Sequence, residues 1–266
     1  MKLLVDIGNT RLKWIAVEAG LTVKRGHLLH RDVEPTLWGD RLWRPLPRPA
    51  QIVVANVAGS EVAAALDAWC LWHWNLRPRF INSEAHRFGI QSAYHVPESL
   101  GVDRWTAMIG SRQLVSGHCV IIDCGTAVTI DALQADGRHL GGVILPGLRL
   151  MHEALFRHTS QIAEQEMGDI VVLGRNTRDG IWGGSVHAIT AAIDRVSGRM
   201  ADAMAGPVTR LITGGNAPAL MPYLDHDYRL EPDLIFFGLR RYAAEQADQE
   251  APMIGEHRRR QTTPSR

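Results

Sequence analysis

The stretch that decides the fold is Leu3-Leu4-Val5-Asp6-Ile7-Gly8-Asn9-Thr10-Arg11-Leu12-Lys13. Its apolar residues predict a buried strand that ends near the carboxylate of Asp6. Gly8-Asn9 predicts a tight turn, because glycine takes a positive φ without a Cβ clash and asparagine tolerates one. Residues 12–16 then predict a second strand. Such a turn lets backbone N–H groups approach a phosphate, although the stretch alone is more typical of an ordinary β-hairpin.

A second copy of this pattern occurs at Val120-Ile121-Ile122-Asp123-Cys124-Gly125-Thr126-Ala127-Val128-Thr129-Ile130-Asp131. The aspartates Asp6 and Asp123 are 117 positions apart. A repeat of this length predicts two related halves whose Asp-Gly turns face one cleft. A third strand runs into Thr213-Gly214-Gly215-Asn216-Ala217, where paired glycines let the backbone approach a flat ligand such as a nucleoside.

Composition and charge describe an ordinary globular protein. The 266 residues are 45% hydrophobic and 21% charged, with a net charge of +1. This balance predicts no membrane partner and no nucleic-acid partner, apart from weak attraction by a tail with four arginines after residue 255. Three cysteines without CxxC spacing favour a reducing compartment, and we therefore expect a cytoplasmic protein.

The order of predicted elements repeats once along the chain. Strands at about 3–6, 12–16, 21–29 and 51–56 precede a helix over 62 to about 75, with Ser60 as its N-cap. The tryptophans of that helix, Trp69, Trp72 and Trp74, are typical of a core or a dimer contact. Strands near 119–123, 126–133, 138–144 and 208–213 follow, with helices from about 146 to 200, around 216–223 and over 233–247.

These elements predict an α/β fold with two ribonuclease-H-like halves flanking a nucleotide cleft. The halves are expected at residues 1–117 and 118–247, and residues 248–266 are expected to be a disordered basic tail.

Two further segments carry polar residues at predicted helix starts. Asp103, in Gly101-Val102-Asp103-Arg104, is on its own more typical of an N-cap, but the neighbouring Arg104 offers a fork for the carboxylate of a small acid. If so, Asp103 is placed to accept a proton from a hydroxyl group. A loop at 174–180 is capped by Asn176 or Thr177.

The motifs together resemble the type III pantothenate kinases, relatives of the Bvg accessory factors within the acetate and sugar kinase, heat-shock chaperone and actin superfamily. The matching stretches are residues 6–10, 100–105, 123–131, 141–147 and 213–217. The resemblance implies ATP-dependent phosphorylation of pantothenate to 4′-phosphopantothenate, the first step of coenzyme A biosynthesis. It also implies ATP with Mg²⁺, a monovalent cation (K⁺ or NH₄⁺) and a homodimer.

The resemblance also implies a role for individual residues. Asp103 resembles the general base, and Asp123 resembles the ligand of the monovalent cation. The residues implied in ATP binding are Asp6, Ile7, Gly8, Asn9, Thr10, Arg11, Leu12, Lys13 and Thr126. Those implied in pantothenate binding are Tyr94, Gly101, Val102, Asp103, Arg104 and, across a dimer interface, Thr177. Two alternatives stay open, a non-catalytic nucleotide-binding accessory factor and a kinase for another small hydroxy acid.

Overall fold

A computed structural model describes residues 1–30, 33–158 and 168–250 of the chain. The first half contains one five-stranded sheet and, in its described part, these elements: β1 Lys2–Ile7, β2 Arg11–Glu18, β3 Leu21–Leu29, α1 Trp38–Leu42, β4 Gln51–Asn56, α2 Ser60–Trp74, β5 Arg79–Phe80, β6 His86–Arg87, β7 Ile90–Gln91 and α3 Val102–Ser111. Short 3-10 helices precede α1 and α3.

The second half repeats the same sheet. Its described elements are β8 His118–Cys124, β9 Ala127–Leu133, β10 His139–Pro146, α4 Leu148–His158, α5 Thr177–Asp202, β11 Val208–Thr213, α6 Ala217–Leu220, β12 Arg229–Leu230 and α7 Leu234–Glu250. The strand orders are β3-β2-β1-β4-β5 and β10-β9-β8-β11-β12. In both sheets the first three strands are antiparallel and the fourth pairs in parallel with the first. The two halves are therefore structural repeats.

The central strands of both sheets are buried on both faces, because their apolar residues point alternately into two cores. Leu3 and Val5 of β1 contribute to an outer core that contains Trp69 and Trp74, while Leu4 points into a central core with α3 and α7. The second sheet likewise contributes Ile121 to the central core and its neighbours to a third core against α5. The central core therefore holds the two halves together.

Helices α3 and α7 cross within this central core at two glycines. A Cβ atom on Gly110 would lie 2.1 Å from the carbonyl oxygen of Leu234, and one on Gly238 would lie 2.1 Å from that of Thr106. The crossing therefore requires the absence of side chains at both positions. Because α3 begins with Val102-Asp103, this packing also determines where Asp103 lies.

The predicted strands agree closely with the structure, and β3, β4 and β11 have the predicted bounds. Two local predictions are wrong. The predicted tight turn at Gly8-Asn9 is present, but neither residue has a positive φ angle. The N-cap of α2 is Gly59, at a φ of 101°, rather than Ser60. Trp72 is exposed, whereas the other two tryptophans of α2 are buried.

The helical stretch predicted from about 146 to 200 is interrupted, because α4 ends at His158 and α5 begins at Thr177. Residues 168–176 are not helical, so the prediction is wrong there, and residues 159–167 lie outside the described residues. Helix α7 continues to Glu250, three residues past its predicted end at residue 247. Residues 251–266, to which the rest of the tail prediction applies, also lie outside the described residues.

Candidate active site

The two Asp-Gly turns meet face to face between the sheets. Gly8 donates its N–H to the carbonyl oxygen of Arg11 at 3.0 Å, and Gly125 donates to that of Ala127 at the same distance. Each turn is therefore closed by its own backbone hydrogen bond. The hydroxyl groups of Thr10 and Thr126 lie 2.8 Å apart and join the two turns directly. Two hydroxyl oxygens from opposite halves thus mark the centre of the site.

A cleft of about 510 Å³ opens at this junction, and three carboxylates line it: Asp6, Asp103 and Asp123. The pKa of Asp6 is raised to about 7, mainly by burial, with Lys13 lowering it and the charges of Asp123 and Asp103 raising it. Burial also raises the pKa of Asp123 to about 6, again with a contribution from Asp103. The three negative charges therefore destabilise one another, and the cleft favours a cation between them.

Basic side chains lie on the same side of the cleft as the carboxylates. Lys13 of β2 is the register partner of Asp6 of β1, so both side chains point to one face of the sheet. In the second half the register partner of Asp123 is Thr129, which also lines the cleft. Arg11 and Arg149 complete the basic lining. The lining therefore offers donors for phosphate oxygens.

The third glycine motif forms the wall of the cleft beside Asp123. Gly214 has a φ of +95°, and a Cβ atom there would lie 2.5 Å from Oδ1 of Asp123. Only glycine fits this position. Asn216 donates its backbone N–H to the carbonyl oxygen of Cys124 at 2.9 Å and its side-chain amide to that of Gly125 at 3.2 Å. The loop is therefore fixed against the second turn.

Asp103 lies in the first turn of α3, whose N-cap is Gly101. The N-cap expected from the residues alone is therefore not Asp103. Its Oδ1 accepts the N–H of Arg104 at 2.8 Å, and burial raises its pKa. A Cβ atom on Gly101 would lie 2.6 Å from this oxygen, so glycine provides the room that the carboxylate occupies.

Arg104 belongs to a buried polar network directly behind Asp103. Its Nε and NH2 groups donate to both oxygens of Asp131, at 2.9 and 2.6 Å, and NH1 donates to the hydroxyl of Tyr94 at 2.8 Å. The ring of His139 lies 2.9 Å from Oδ1 of the same aspartate. Burial opposes the charge of Asp131, yet hydrogen bonds from His139 and Arg104 hold its pKa below the ordinary value. The guanidinium is thus held in one orientation.

Comparison with known proteins identifies the family of this chain. The family model for type III pantothenate kinase matches residues 2–199. The chain belongs to the type III pantothenate kinase family. A Nitrosococcus oceani protein named type III pantothenate kinase is 39% identical over 91% of this chain and 94% of its own length. An Aromatoleum aromaticum protein of the same name is 38% identical over 93% and 99%.

Solved structures are similar in fold at lower identity. A putative Baf family transcriptional activator from Campylobacter jejuni has a TM-score of 0.59 at 22% identity, covering 92% of this chain and 99% of that one. A putative 2-dehydro-3-deoxygalactonokinase from Sinorhizobium meliloti has a TM-score of 0.56 at 13% identity, covering 98% and 100%. These similarities confirm the predicted actin-like ATPase and sugar kinase fold.

Only some of the site residues expected from the family resemblance line the cleft. Those that line the cleft are Asp6, Gly8, Asn9, Thr10, Arg11, Lys13, Asp103, Asp123 and Thr126. Ile7 and Leu12 are buried in the outer core beneath the first turn, and Val102 is buried in the central core. Tyr94, Gly101 and Arg104 lie behind Asp103, and Thr177 is exposed at the start of α5. Their roles toward pantothenate stay predictions.

Three residues at or beside the cleft were not predicted from the sequence. Arg149 and Thr129 line the cleft, and His30 approaches the carbonyl oxygen of Gly8 at 2.7 Å through Nε2. Thr129 was detectable, since it lies six positions after Asp123 much as Lys13 lies seven after Asp6. His30 and Arg149 come from segments whose placement depends on tertiary structure.

A kinase of this family and fold acts with ATP and a divalent cation. Within the described residues no group of three or more His, Cys, Asp or Glu side chains could hold a metal ion. The paired carboxylates of Asp6 and Asp123 offer the oxygen ligands that hard cations prefer, and they fit a cation that arrives with the nucleotide. In the same residues, no helix combines the length and apolar character needed to cross a membrane.

Proposed function

We propose that this chain transfers the γ-phosphate of ATP to the primary hydroxyl of pantothenate. The product is 4′-phosphopantothenate, and the reaction is the first step of coenzyme A biosynthesis. One observation carries the proposal beyond family membership: carboxylates from both halves, Asp6 and Asp123, line one cleft together with Asp103 and the hydroxyl-bridged turns. Phosphoryl transfer requires this combination of a phosphate cradle, a cation site and a proton acceptor.

Asp103 is proposed as the general base. It lines the cleft, and burial makes its carboxylate more basic than a carboxylate in water. As the hydroxyl oxygen of pantothenate attacks the γ-phosphorus, Asp103 accepts the hydroxyl proton. The room left by Gly101 and the adjacent N–H of Arg104 hold its carboxylate in place.

The ATP phosphates are proposed to bind between the two turns. The first turn, residues 6–13, and Thr126 supply backbone and side-chain donors, as the resemblance implies. A divalent cation bound with ATP neutralises charge on the phosphates, and Asp6 would orient its water ligands. Asp123, whose pKa burial raises to about 6, would hold the monovalent cation, because a second carboxylate would otherwise repel the phosphates.

Pantothenate is proposed to enter on the side of Asp103, with its carboxylate directed toward the Tyr94–Arg104 pair. Nε and NH2 of Arg104 donate to Asp131. NH1 donates to the Tyr94 hydroxyl. NH1 is therefore the part of the guanidinium proposed to meet the substrate acid, and because Arg104 is only 5% exposed the acid would have to displace the Tyr94 hydroxyl. Gly101 and Val102 contribute by carrying Asp103 and Arg104 at the start of α3.

A homodimer is proposed to complete the site with Thr177 of a second copy. The residues just before it, Val172 and Leu173, are 79% and 84% exposed, which is unusual for apolar side chains. Strand β10 is also an edge strand, and its Ile144 is 61% exposed. A second copy covering these residues would explain both observations. The buried, free cysteines fit a reducing compartment, and we expect this dimer in the cytoplasm.

Mixing two inactive variants tests the shared site. Asp103→Asn and Thr177→Ala each damage every site of their own dimer, but a mixed dimer contains one site with both wild-type residues. Refolding the two variants together should restore about a quarter of wild-type activity, since about half of the dimers are mixed and each has one intact site. Activity no higher than that of the separate variants would contradict a site built from two copies.

The reaction itself is tested by pantothenate-dependent ADP release. We expect turnover with ATP, Mg²⁺ and K⁺ or NH₄⁺, and much weaker turnover when Na⁺ replaces K⁺. Equal rates with both cations would contradict the monovalent cation site at Asp123. ADP release with another small hydroxy acid but not with pantothenate would replace the proposed substrate, and folded protein that binds ATP without any turnover would favour an accessory role.

A further inference from the structure

Arg149 is a basic residue of the cleft that belongs to none of the sequence motifs. It is the second residue of α4, and it lines the cleft with the two phosphate turns and the three carboxylates. Its NH2 group donates to the hydroxyl oxygen of Thr10 at 3.3 Å. That hydroxyl in turn contacts the hydroxyl of Thr126 at 2.8 Å. Arg149 therefore extends the line of donors that joins the two turns.

The position of Arg149 is fixed by the way α4 begins. Gly147 donates its N–H to the carbonyl oxygen of Thr126 at 3.1 Å, and its own carbonyl accepts the N–H of Met151 at 3.0 Å. A Cβ atom on Gly147 would lie 2.5 Å from the carbonyl oxygen of Thr126, so only glycine allows this close contact. The helix start is thus attached to the second turn, and Arg149 projects from it.

The guanidinium keeps donors for a further ligand. NH1 pairs with Glu153 one helical turn later, and NH2 contacts Thr10, which engages two of its five N–H groups. The Arg149 side chain is 36% exposed, so it reaches solvent in the cleft rather than being enclosed by protein. The pair with Glu153 holds the side chain near the turns while leaving donors free.

We propose that Arg149 binds an oxygen of the γ-phosphate of ATP and stabilises the charge on the phosphoryl group during its transfer. This inference rests on the proposed function, which supplies the donor and the acceptor. In the step, the bond between the acceptor oxygen and the γ-phosphorus forms while the bond from phosphorus to the β,γ-bridging oxygen breaks. The proton moves to Asp103, ADP leaves, and Arg149 contacts an oxygen that stays on the transferred group.

Charge in the cleft supports this assignment. The three carboxylates require compensation before a nucleotide phosphate can enter, and Lys13 lies beside Asp6 in the first half. The second half has Thr129 in the corresponding position, which carries no charge. Arg149, attached to the second turn through Gly147, supplies a positive charge on that side.

The test compares nucleotides that differ by the γ-phosphate. Calorimetry would measure the binding of ADP and of a non-hydrolysable ATP analogue, with Mg²⁺, to the wild type, Arg149→Ala and Arg149→Lys. We expect Arg149→Ala to weaken binding of the analogue about tenfold with ADP binding unchanged, and to lower kcat for pantothenate about 10–100-fold. Arg149→Lys should recover part of both losses because it keeps the charge. Arg138→Ala, which removes an exposed pair with Asp136, is the matched control and should change neither.

Three results would overturn the inference. The first is an Arg149→Ala variant with the kcat and the analogue affinity of the wild type. The second is an Arg149→Ala variant that loses ADP affinity and analogue affinity equally. The third is an Arg149→Lys variant whose kcat and analogue affinity are no higher than those of Arg149→Ala. A wild type without pantothenate-dependent ADP release would instead contradict the proposed function, and the two nucleotide affinities would still test Arg149. Circular dichroism of both variants separates a folding defect from a loss of binding.

Discussion

Replacing Asp131 with asparagine is expected to destabilise the folded chain by about 3–5 kcal/mol, the usual effect of removing one partner from a buried ion pair. Arg104 is 5% exposed and Asp131 is 2% exposed, so water cannot compensate for the lost charge. Asparagine also replaces one acceptor oxygen with an N–H donor, which faces a donor group of Arg104 at either oxygen position. Typical domains have about 5–15 kcal/mol of total stability, so the change is a large fraction of it.

Urea denaturation of the protein without nucleotide measures this effect. The midpoint for Asp131→Asn should fall by about 1 M or more with the slope unchanged. Asp136→Asn is the matched control, because Asp136 pairs with Arg138 at 2.8 Å on the surface with both side chains more than half exposed. Its midpoint should stay within experimental error of the wild type.

A second variant separates charge from packing. Arg104→Met combined with Asp131→Leu removes both charges and should be more stable than Asp131→Asn alone, since no uncompensated charge is left in the interior. If Asp131→Asn and Asp136→Asn have equal midpoints, the buried network does not stabilise α3 and the reasoning is refuted.

Two further predictions concern stability elsewhere. Asp6→Asn should stabilise the nucleotide-free protein at pH 8, by on the order of 4 kcal/mol, because burial raises the pKa of Asp6 from 3.8 to about 7. Because its pKa is raised in the folded state, protonated Asp6 stabilises the wild type at low pH, and this stability is lost as the pH rises through about 7. The gain in Tm of Asp6→Asn over the wild type should therefore be smaller at pH 5 than at pH 8. An equal gain at pH 5 and pH 8 would contradict the pKa assignment. Gly110→Ala should cost about 1–3 kcal/mol by overpacking the crossing with α7. Gly198→Ala, whose Cβ would meet only His226 at 3.8 Å, should stabilise α5 by about 1 kcal/mol. Chemical denaturation tests this pair, and an equal effect at both glycines would contradict the close packing of α3 on α7.

The sequence predicted the parts of this fold that depend on local patterns. The predicted bounds of β3, β4 and β11 agree with the structure. For β4 the reason is that a strand buried on both faces has a continuous apolar sequence, whereas most of β3 is exposed. The repeat of Asp6 and Asp123 was sufficient to expect one cleft, because equivalent turns in two related halves face each other.

Other parts depend on contacts that local patterns do not encode. Arg104 was expected to be free for a substrate acid, but two of its donor groups bind Asp131, which lies 27 residues away. Nothing near position 104 indicates that partner. Ser60 is a good N-cap residue by type, but Gly59 adopts the cap position with a φ of 101°. Arg149 reaches the cleft only because Gly147 attaches α4 to the second turn.

The central claim is that Asp103 accepts the proton of the substrate hydroxyl in a cleft formed by both halves. The most direct test is the kcat of Asp103→Asn in the pantothenate-dependent assay, with nucleotide affinity measured on the same protein. The account predicts a kcat about 10²–10⁴-fold below the wild type, with ATP still bound, because asparagine cannot accept the proton. A variant that turns over pantothenate at the wild-type rate would contradict it.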